Sequence, residues 1–189
     1  MARVCAQVLV LGFCLSACGI NNIPKHQETA RAKWFDLLYA YSLRDDGTRA
    51  LIDAVQRHAG EERAGLEELI KSRARAHETQ VYIATEVLTQ RGSFEQFAQA
   101  QDELAAALSR LMTACERDKD LRSDQSFVRA AAQLEDIKNR IAAARREYDE
   151  AAEQYNKELR TLPGAFWGAT LYHNNRPMRT FGDFPRDPR

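Results

Sequence analysis

The chain has 189 residues, with 27 Lys and Arg against 27 Asp and Glu, and 44% of its residues are hydrophobic. This length suits one domain or two small ones, and a formal charge of zero gives no support for nucleic-acid binding, which requires a basic surface. A charged fraction of 29% beside this hydrophobic content argues against disorder throughout.

The N-terminal segment has the form of an export signal. A basic start, Met1–Arg3, precedes an apolar run, Val4–Phe13, which is shorter than the roughly 20 residues that a membrane span needs. The run leads to Leu15–Cys18, Leu-Ser-Ala-Cys, which resembles the bacterial lipobox. We therefore predict a lipoprotein signal peptide at 1–17 and lipid attachment at Cys18. The alternative is an ordinary signal followed by a chance cysteine.

The residues after Cys18 indicate where the lipid would hold the chain. By resemblance to Gram-negative lipoproteins, Gly19 in the next position favours the outer membrane. We predict a location in the cell envelope, anchored to the bilayer on the periplasmic side through the acylated Cys18. Because residues 18–25 contain Gly, two Asn and Pro, we predict an anchor and spacer there.

The first half of the remaining chain is rich in helix formers but irregular in its apolar pattern. There is no Pro between His26 and Leu162, and Ala, Glu, Arg, Leu and Gln dominate. We predict one helix over about 26–58, with a kink or break near Gly47, and a second over about 61–91.

The second half carries two apolar seams with heptad spacing, which predicts two packed helices. The first seam consists of Phe94, Phe97, Gln101, Leu104, Leu108, Leu111 and Cys115, and the second of Phe127, Ala130, Leu134, Ile137, Ile141, Ala144, Tyr148, Ala151 and Tyr155. A capping box at Ser93–Gln96 would begin the first helix after Gly92 closes its predecessor. Ser123 or Asp124 would cap the second.

These elements predict an all-α fold, an elongated antiparallel bundle of about four long helices over 26–162. Pro163 and Gly164 would end the last helix, leaving an irregular tail at 163–189. Six large apolar side chains in the tail are too many for a solvated segment. Either the tail docks on the bundle or it binds a partner. The six are Phe166, Trp167, Leu171, Tyr172, Phe181 and Phe184.

The last helix also carries a recognisable signature. Asn-Arg-Ile-Ala-Ala-Ala-Arg-Arg at 139–146 is followed by Tyr148-Asp149, Tyr155-Asn156 and Pro163. This pattern resembles the LemA family, in which the helix carries Asn-Arg-Ile, Arg and two Tyr-Asn pairs before a Pro. Asp149 stands here where the family usually has Asn. The resemblance extends over about 30–180 and is most specific over 104–163.

The resemblance implies an antiparallel helical bundle tethered to a membrane, in a family without an established enzymatic role. It also identifies a candidate site, either a set of structural contacts or a recognition surface for an envelope component. Its members are Asn139, Arg140, Arg145, Tyr148, Tyr155 and Asn156.

The histidines and cysteines of the chain are not arranged in a pattern typical of a catalytic or metal site. The four histidines are too far apart in sequence for metal-ligand spacing, and Cys115 lies on an apolar seam, where a thiol behaves as a small hydrophobe. We predict no catalytic residue, no metal site and no cofactor.

The sequence thus favours a non-enzymatic envelope lipoprotein that acts as a helical scaffold or adaptor for an unidentified envelope protein. Self-association is a further possibility. The alternative function is an envelope hydrolase, or an accessory subunit of one, acting on peptidoglycan or lipid.

Overall fold

The computed structural model describes residues 21–58, 63–81 and 88–183. These residues form α helices and short irregular segments without any strand, which confirms the all-α class. The predicted signal peptide, Cys18 and Gly60 lie outside the described residues. The helices are α1 (Asn22–Gln56), α2 (Arg63–Val81), α3 (Arg91–Cys115), α4 (Lys119–Ser123), α5 (Gln125–Arg160) and α6 (Gly164–Thr170), and a 3₁₀ turn follows at Phe181–Asp183.

The described chain falls into two compact units. Unit A is Phe35–Arg146, and unit B contains the described residues up to Trp34 together with those from Glu147 onward. The helices α1 and α5 each contribute residues to both units.

Unit A has a core built from the seams that the sequence shows. All seven predicted α3 seam positions are buried, from Phe94 to Cys115, and the Cys115 thiol lies inside this core. Residues of α1, α2, α3 and α5 share the core, and α2 packs on α3. On α5, the large seam residues from Phe127 to Ile141 are also buried, which confirms the predicted seam in this unit.

Gly47 is the main correction to the predicted helices. The prediction of a break there is wrong, because α1 continues through it as one 35-residue helix. Gly47 is buried at a close approach to α5, where an added Cβ would lie 3.0 Å from Cδ2 of Leu134 and 3.5 Å from Cδ1 of Ile137. The missing side chain therefore gives Leu134 and Ile137 the space that they occupy.

Three predicted helix starts can be compared with the structure. The first helix begins at Asn22, inside the predicted spacer 18–25. Pro24 is tolerated in its first turn, where a backbone N–H has no helical partner to bind.

Asp124 caps α5 as predicted, since its Oδ1 accepts from the N–H groups of Ser126 (2.6 Å) and Phe127 (3.0 Å). The third comparison, the capping box at Ser93–Gln96, is wrong because α3 already begins at Arg91 and includes Gly92.

Unit B is built around the second half of α5. Tyr148 and Tyr155 are both 0% exposed, and they continue the predicted seam as the principal buried side chains of this half. The helix ends at Arg160, close to the predicted stop. After a turn, α6 begins at Gly164, where an added Cβ would overlap the backbone carbonyl oxygen of Glu158.

The close approach at Gly47 gives a direct test of the packing. We expect Gly47→Leu to lower the free energy of unfolding by about 1–3 kcal/mol, because the new side chain must displace Leu134 and Ile137. Gly92→Leu is the matched control, since nothing lies within 4 Å of a Cβ there. Urea denaturation of both variants measures the difference, and equal stabilities would contradict the assigned contact.

The cap at Asp124 predicts a pH dependence of stability. His58 Nε2 lies 2.8 Å from Asp124 Oδ2, and this hydrogen bond, with the N–H of Phe127, holds the pKa of the Asp124 carboxyl below its usual range. A carboxyl group whose pKa is lowered by folding stabilises the folded state at pH values above its unfolded pKa of about 3.9. This stabilisation is lost as the pH falls through the pKa of the folded state.

We therefore expect the stability difference between wild type and Asp124→Asn to shrink as the pH falls below about 4. Chemical denaturation at several pH values between 2 and 5 measures this difference in stability. A difference that grew as the pH fell from 5 to 2 would contradict this role for Asp124.

Candidate functional site

The C-terminal tail docks on α5 within unit B through a short segment, Pro177–Phe181, which we call the strap. Asn156 holds the strap with both ends of its amide. Its Nδ2 donates to the carbonyl oxygen of Met178 (2.7 Å), and its Oδ1 accepts from the N–H of the same residue (2.7 Å). Of the two alternatives for the tail, docking is the one found for this segment.

Two further side chains of α5 bind the strap. Asp149 Oδ1 accepts from the N–H of Phe181 (2.8 Å), and the Tyr148 hydroxyl donates to the carbonyl oxygen of Arg179 (2.6 Å). Three residues of the signature, Tyr148, Asp149 and Asn156, are therefore bound to backbone groups of the strap. Asp149, the departure from the usual Asn, is used here only as an acceptor, and an amide oxygen offers the same group.

The spacing of these contacts has a simple geometric cause. Asp149 and Asn156 are seven residues apart, which is about 10.5 Å along an α helix. Their partners, Phe181 and Met178, are three residues apart, which is about 10–11 Å along an extended chain. Two helical turns therefore match three residues of strap, and the strap runs antiparallel to α5.

An aromatic cluster lies beneath the strap. Trp34 of α1 lies 5.1 Å from Tyr148 between ring centroids, and the ring of Phe181 lies 6.5 Å from Trp34 and 6.1 Å from Tyr148. Trp34 and Tyr148 are fully buried. Phe181 therefore contributes both its ring and its backbone N–H to the attachment of the strap.

The two signature tyrosines are held in their neutral form. Burial raises the pKa of Tyr148, and the nearby carboxylates of Asp149 and Asp183 raise it further. Burial also raises the pKa of Tyr155. A neutral hydroxyl can donate a hydrogen bond, as Tyr148 does, but it is a weak nucleophile.

An open groove of about 650 Å³ lies beside the strap in unit B. Its charged side chains have both signs, and no charge dominates. It is lined by Glu153, Gln154, Asn156, Lys157, Arg160, Pro177, Met178, Arg179, Thr180 and Asp183.

Arg145, the signature arginine, lies in unit A. Its Nε donates to the Tyr41 hydroxyl (2.6 Å) and its Nη2 to Asp102 Oδ1 (2.7 Å). Burial alone would lower the pKa of Arg145, but Tyr41 and Asp102 raise it overall. Arg145 thus joins α5 to α1 and α3 inside this unit.

A second buried polar group, in the same unit, was not predicted from the sequence. Arg44 is buried, its guanidinium lies 4.9 Å from the centre of the Tyr41 ring, and both of its terminal nitrogens donate to Gln101. Gln101 Nε2 in turn donates to the carbonyl oxygen of Ala76 (3.2 Å). Burial lowers the pKa of Arg44 to about 10, so the side chain stays charged at neutral pH.

The structure therefore divides the predicted site residues. Tyr148, Tyr155 and Asn156 lie in unit B, while Arg145, Asn139 and Arg140 lie in unit A, the last two exposed. The tyrosines belong to the interior, so a recognition surface made from this set would use Asn139 and Arg140. Met178 and Arg179, whose backbone groups bind α5 side chains, carry no sequence pattern that predicts these contacts.

The described residues offer little for metal chemistry. In the ranges 21–58, 63–81 and 88–183, no group of three or more His, Cys, Asp and Glu side chains is arranged to hold a metal ion. None of the helices in these ranges is long and apolar enough to cross a bilayer.

The two asparagines of the signature provide a matched test of the strap. We expect Asn156→Ala to lower the free energy of unfolding by about 1–3 kcal/mol, because it leaves both polar backbone groups of Met178 unpaired. Asn139→Ala, at an exposed position of the same helix, should change it by less than about 0.5 kcal/mol.

Urea denaturation measures the stabilities, and limited proteolysis near residue 178 reports release of the strap. Asp149→Asn should remain close to wild type in both assays, since its Oδ1 can still accept from Phe181. Equal effects of the Asn156 and Asn139 variants would contradict the assigned contacts.

Comparisons with known proteins agree with the signature. No curated protein matches the chain significantly. The model of the LemA family matches residues 33–186, a range that contains α5, α6 and the strap. The chain therefore belongs to the LemA family.

Proposed function

We propose that this protein is a membrane-anchored lipoprotein of the bacterial envelope, acylated at Cys18, that acts as a non-enzymatic helical scaffold or adaptor. Membership of the LemA family suggests membrane association. The Leu-Ser-Ala-Cys motif at 15–18 supplies the means of attachment, since two or three acyl chains hold a protein on a bilayer where one does not. Gly19 after the cysteine favours the outer membrane, on the periplasmic side.

The observation that carries the scaffold role is the use of the signature residues in internal contacts. Asn156 and Tyr148 bind the backbone of the strap, and Arg145 binds Tyr41 and Asp102. Catalysis needs a nucleophile or an acid and base that converge on a reacting atom. Here the polar groups that define the family stabilise the fold, which supports a role in presenting surfaces to an envelope partner.

The anchoring part of the proposal predicts acylation at one cysteine. We expect Cys18→Ala to abolish metabolic labelling with palmitate, and Cys14→Ala, four residues earlier in the predicted signal, to leave it intact. Gel fluorography of immunoprecipitated protein measures the label. Label that survived Cys18→Ala would contradict acylation at this residue.

The adaptor part predicts a specific partner in the envelope. Cross-linking in intact cells, followed by purification and mass spectrometry, should recover one or a few envelope proteins. Arg140→Glu, at an exposed position of the signature, should reduce that recovery without lowering stability. Recovery of cross-linked copies of this chain alone would favour self-association, and recovery of no specific protein would count against the adaptor role.

A further inference from the structure

Unit B exposes apolar side chains around its short helix α6. Leu162 is 83% exposed, Phe166 is 55% and Leu171 is 58%, and they are three of seven large hydrophobic side chains that are exposed in the described ranges. We call these three residues the α6 apolar surface. Three exposed apolar side chains of this size within ten residues make this segment a candidate for contact with another apolar phase.

The charge of the same segment suits one such phase. Residues 159–182, which lie between Glu158 and Asp183, contain no Asp or Glu, although 27 of the 189 residues in the chain are acidic. Arg160 and Arg176, both exposed, flank the α6 apolar surface in sequence. Exposed Arg beside Leu and Phe suits the boundary between anionic lipid headgroups and acyl chains.

The position of α6 places it near the proposed lipid anchor. A Cβ added at Gly168 would lie 3.9 Å from Cδ1 of Ile23 and 3.8 Å from Cδ2 of Leu159, so α6 lies against the first turn of α1 and the end of α5. Ile23 lies only five positions after Cys18. Five extended residues span at most about 18 Å, so α6 cannot lie far from an acylated Cys18.

We propose that the α6 apolar surface contacts the bilayer beside the lipid anchor, with Leu162, Phe166 and Leu171 at the boundary between headgroups and acyl chains. This inference rests on the proposed anchoring at Cys18. The surface supplies a second attachment, which fixes unit B on the membrane where the acyl chains alone would leave it free to rotate. Arg160 and Arg176 add attraction to anionic headgroups.

A fluorescent label on α6 tests this contact without altering the apolar surface. Ala169 is exposed on α6 and Ala132 is exposed on α5 in unit A, so Ala169→Cys and Ala132→Cys give matched labelling sites. Cys115 is fully buried and should stay unlabelled. The full chain, purified with its lipid, is labelled with NBD and reconstituted into vesicles of phosphatidylethanolamine and phosphatidylglycerol, with or without lipids that carry a nitroxide on the acyl chain.

We expect the nitroxide lipids to reduce NBD emission at least about twofold at residue 169 and by less than about a tenth at residue 132. Adding Phe166→Asp and Leu171→Asp should abolish the quenching at residue 169 while the chain stays on the vesicles. Adding Val128→Asp, at an exposed apolar position in unit A, should leave that quenching unchanged.

The same samples separate the two proposals. An acylated chain that floats with the vesicles but shows no quenching at residue 169 would overturn the membrane contact and leave the anchor intact. A chain without acyl groups that neither floats nor shows quenching would overturn both. Quenching at residue 169 in a chain that mass spectrometry shows to be unacylated would support the α6 contact and contradict the anchor.

Discussion

The strap is an irregular segment packed on a helix, and its backbone N–H and C=O groups therefore have no ladder of partners. A backbone N–H or C=O group that is removed from water must form a hydrogen bond, because an unpaired buried group lowers the stability of the folded state. In unit B the partners come from side chains of α5. Asn156 satisfies both groups of Met178, and Asp149 and Tyr148 satisfy one group each on Phe181 and Arg179.

This constraint explains the repeated Tyr-Asx pair that marks the family. The seven-residue repeat places two polar side chains on one face of α5, at a spacing that matches three residues of extended strap. Each Asx lies next to a tyrosine that the same face buries in the interior. The carboxylate of Asp149 can replace an amide here because its Oδ1 only accepts a hydrogen bond, from the N–H of Phe181. Tyr148, Asp149 and Asn156 therefore attach the strap to α5.

The sequence predicted the helices well where burial is periodic. The α3 seam and the large seam residues of α5 are buried because an apolar position at heptad spacing faces its neighbour. Gly47 was misread because glycine marks helix breaks and close helix contacts alike, and only the partner, Leu134, distinguishes them. The strap contacts join residues 22 to 32 positions apart, with no local pattern to reveal them. Arg44 and Gln101 were likewise missed as a pair, although a polar Gln101 within an apolar seam signals that a partner is needed.

Amide hydrogen exchange of the wild-type protein tests the central claim most directly. If α5 side chains accept from the N–H groups of Met178 and Phe181, both amides should exchange much more slowly than in an unstructured peptide, although neither belongs to an α helix. NMR spectroscopy resolves the two amides individually. Exchange of both at the rate of an unfolded chain, while the α5 amides stay protected, would contradict the account.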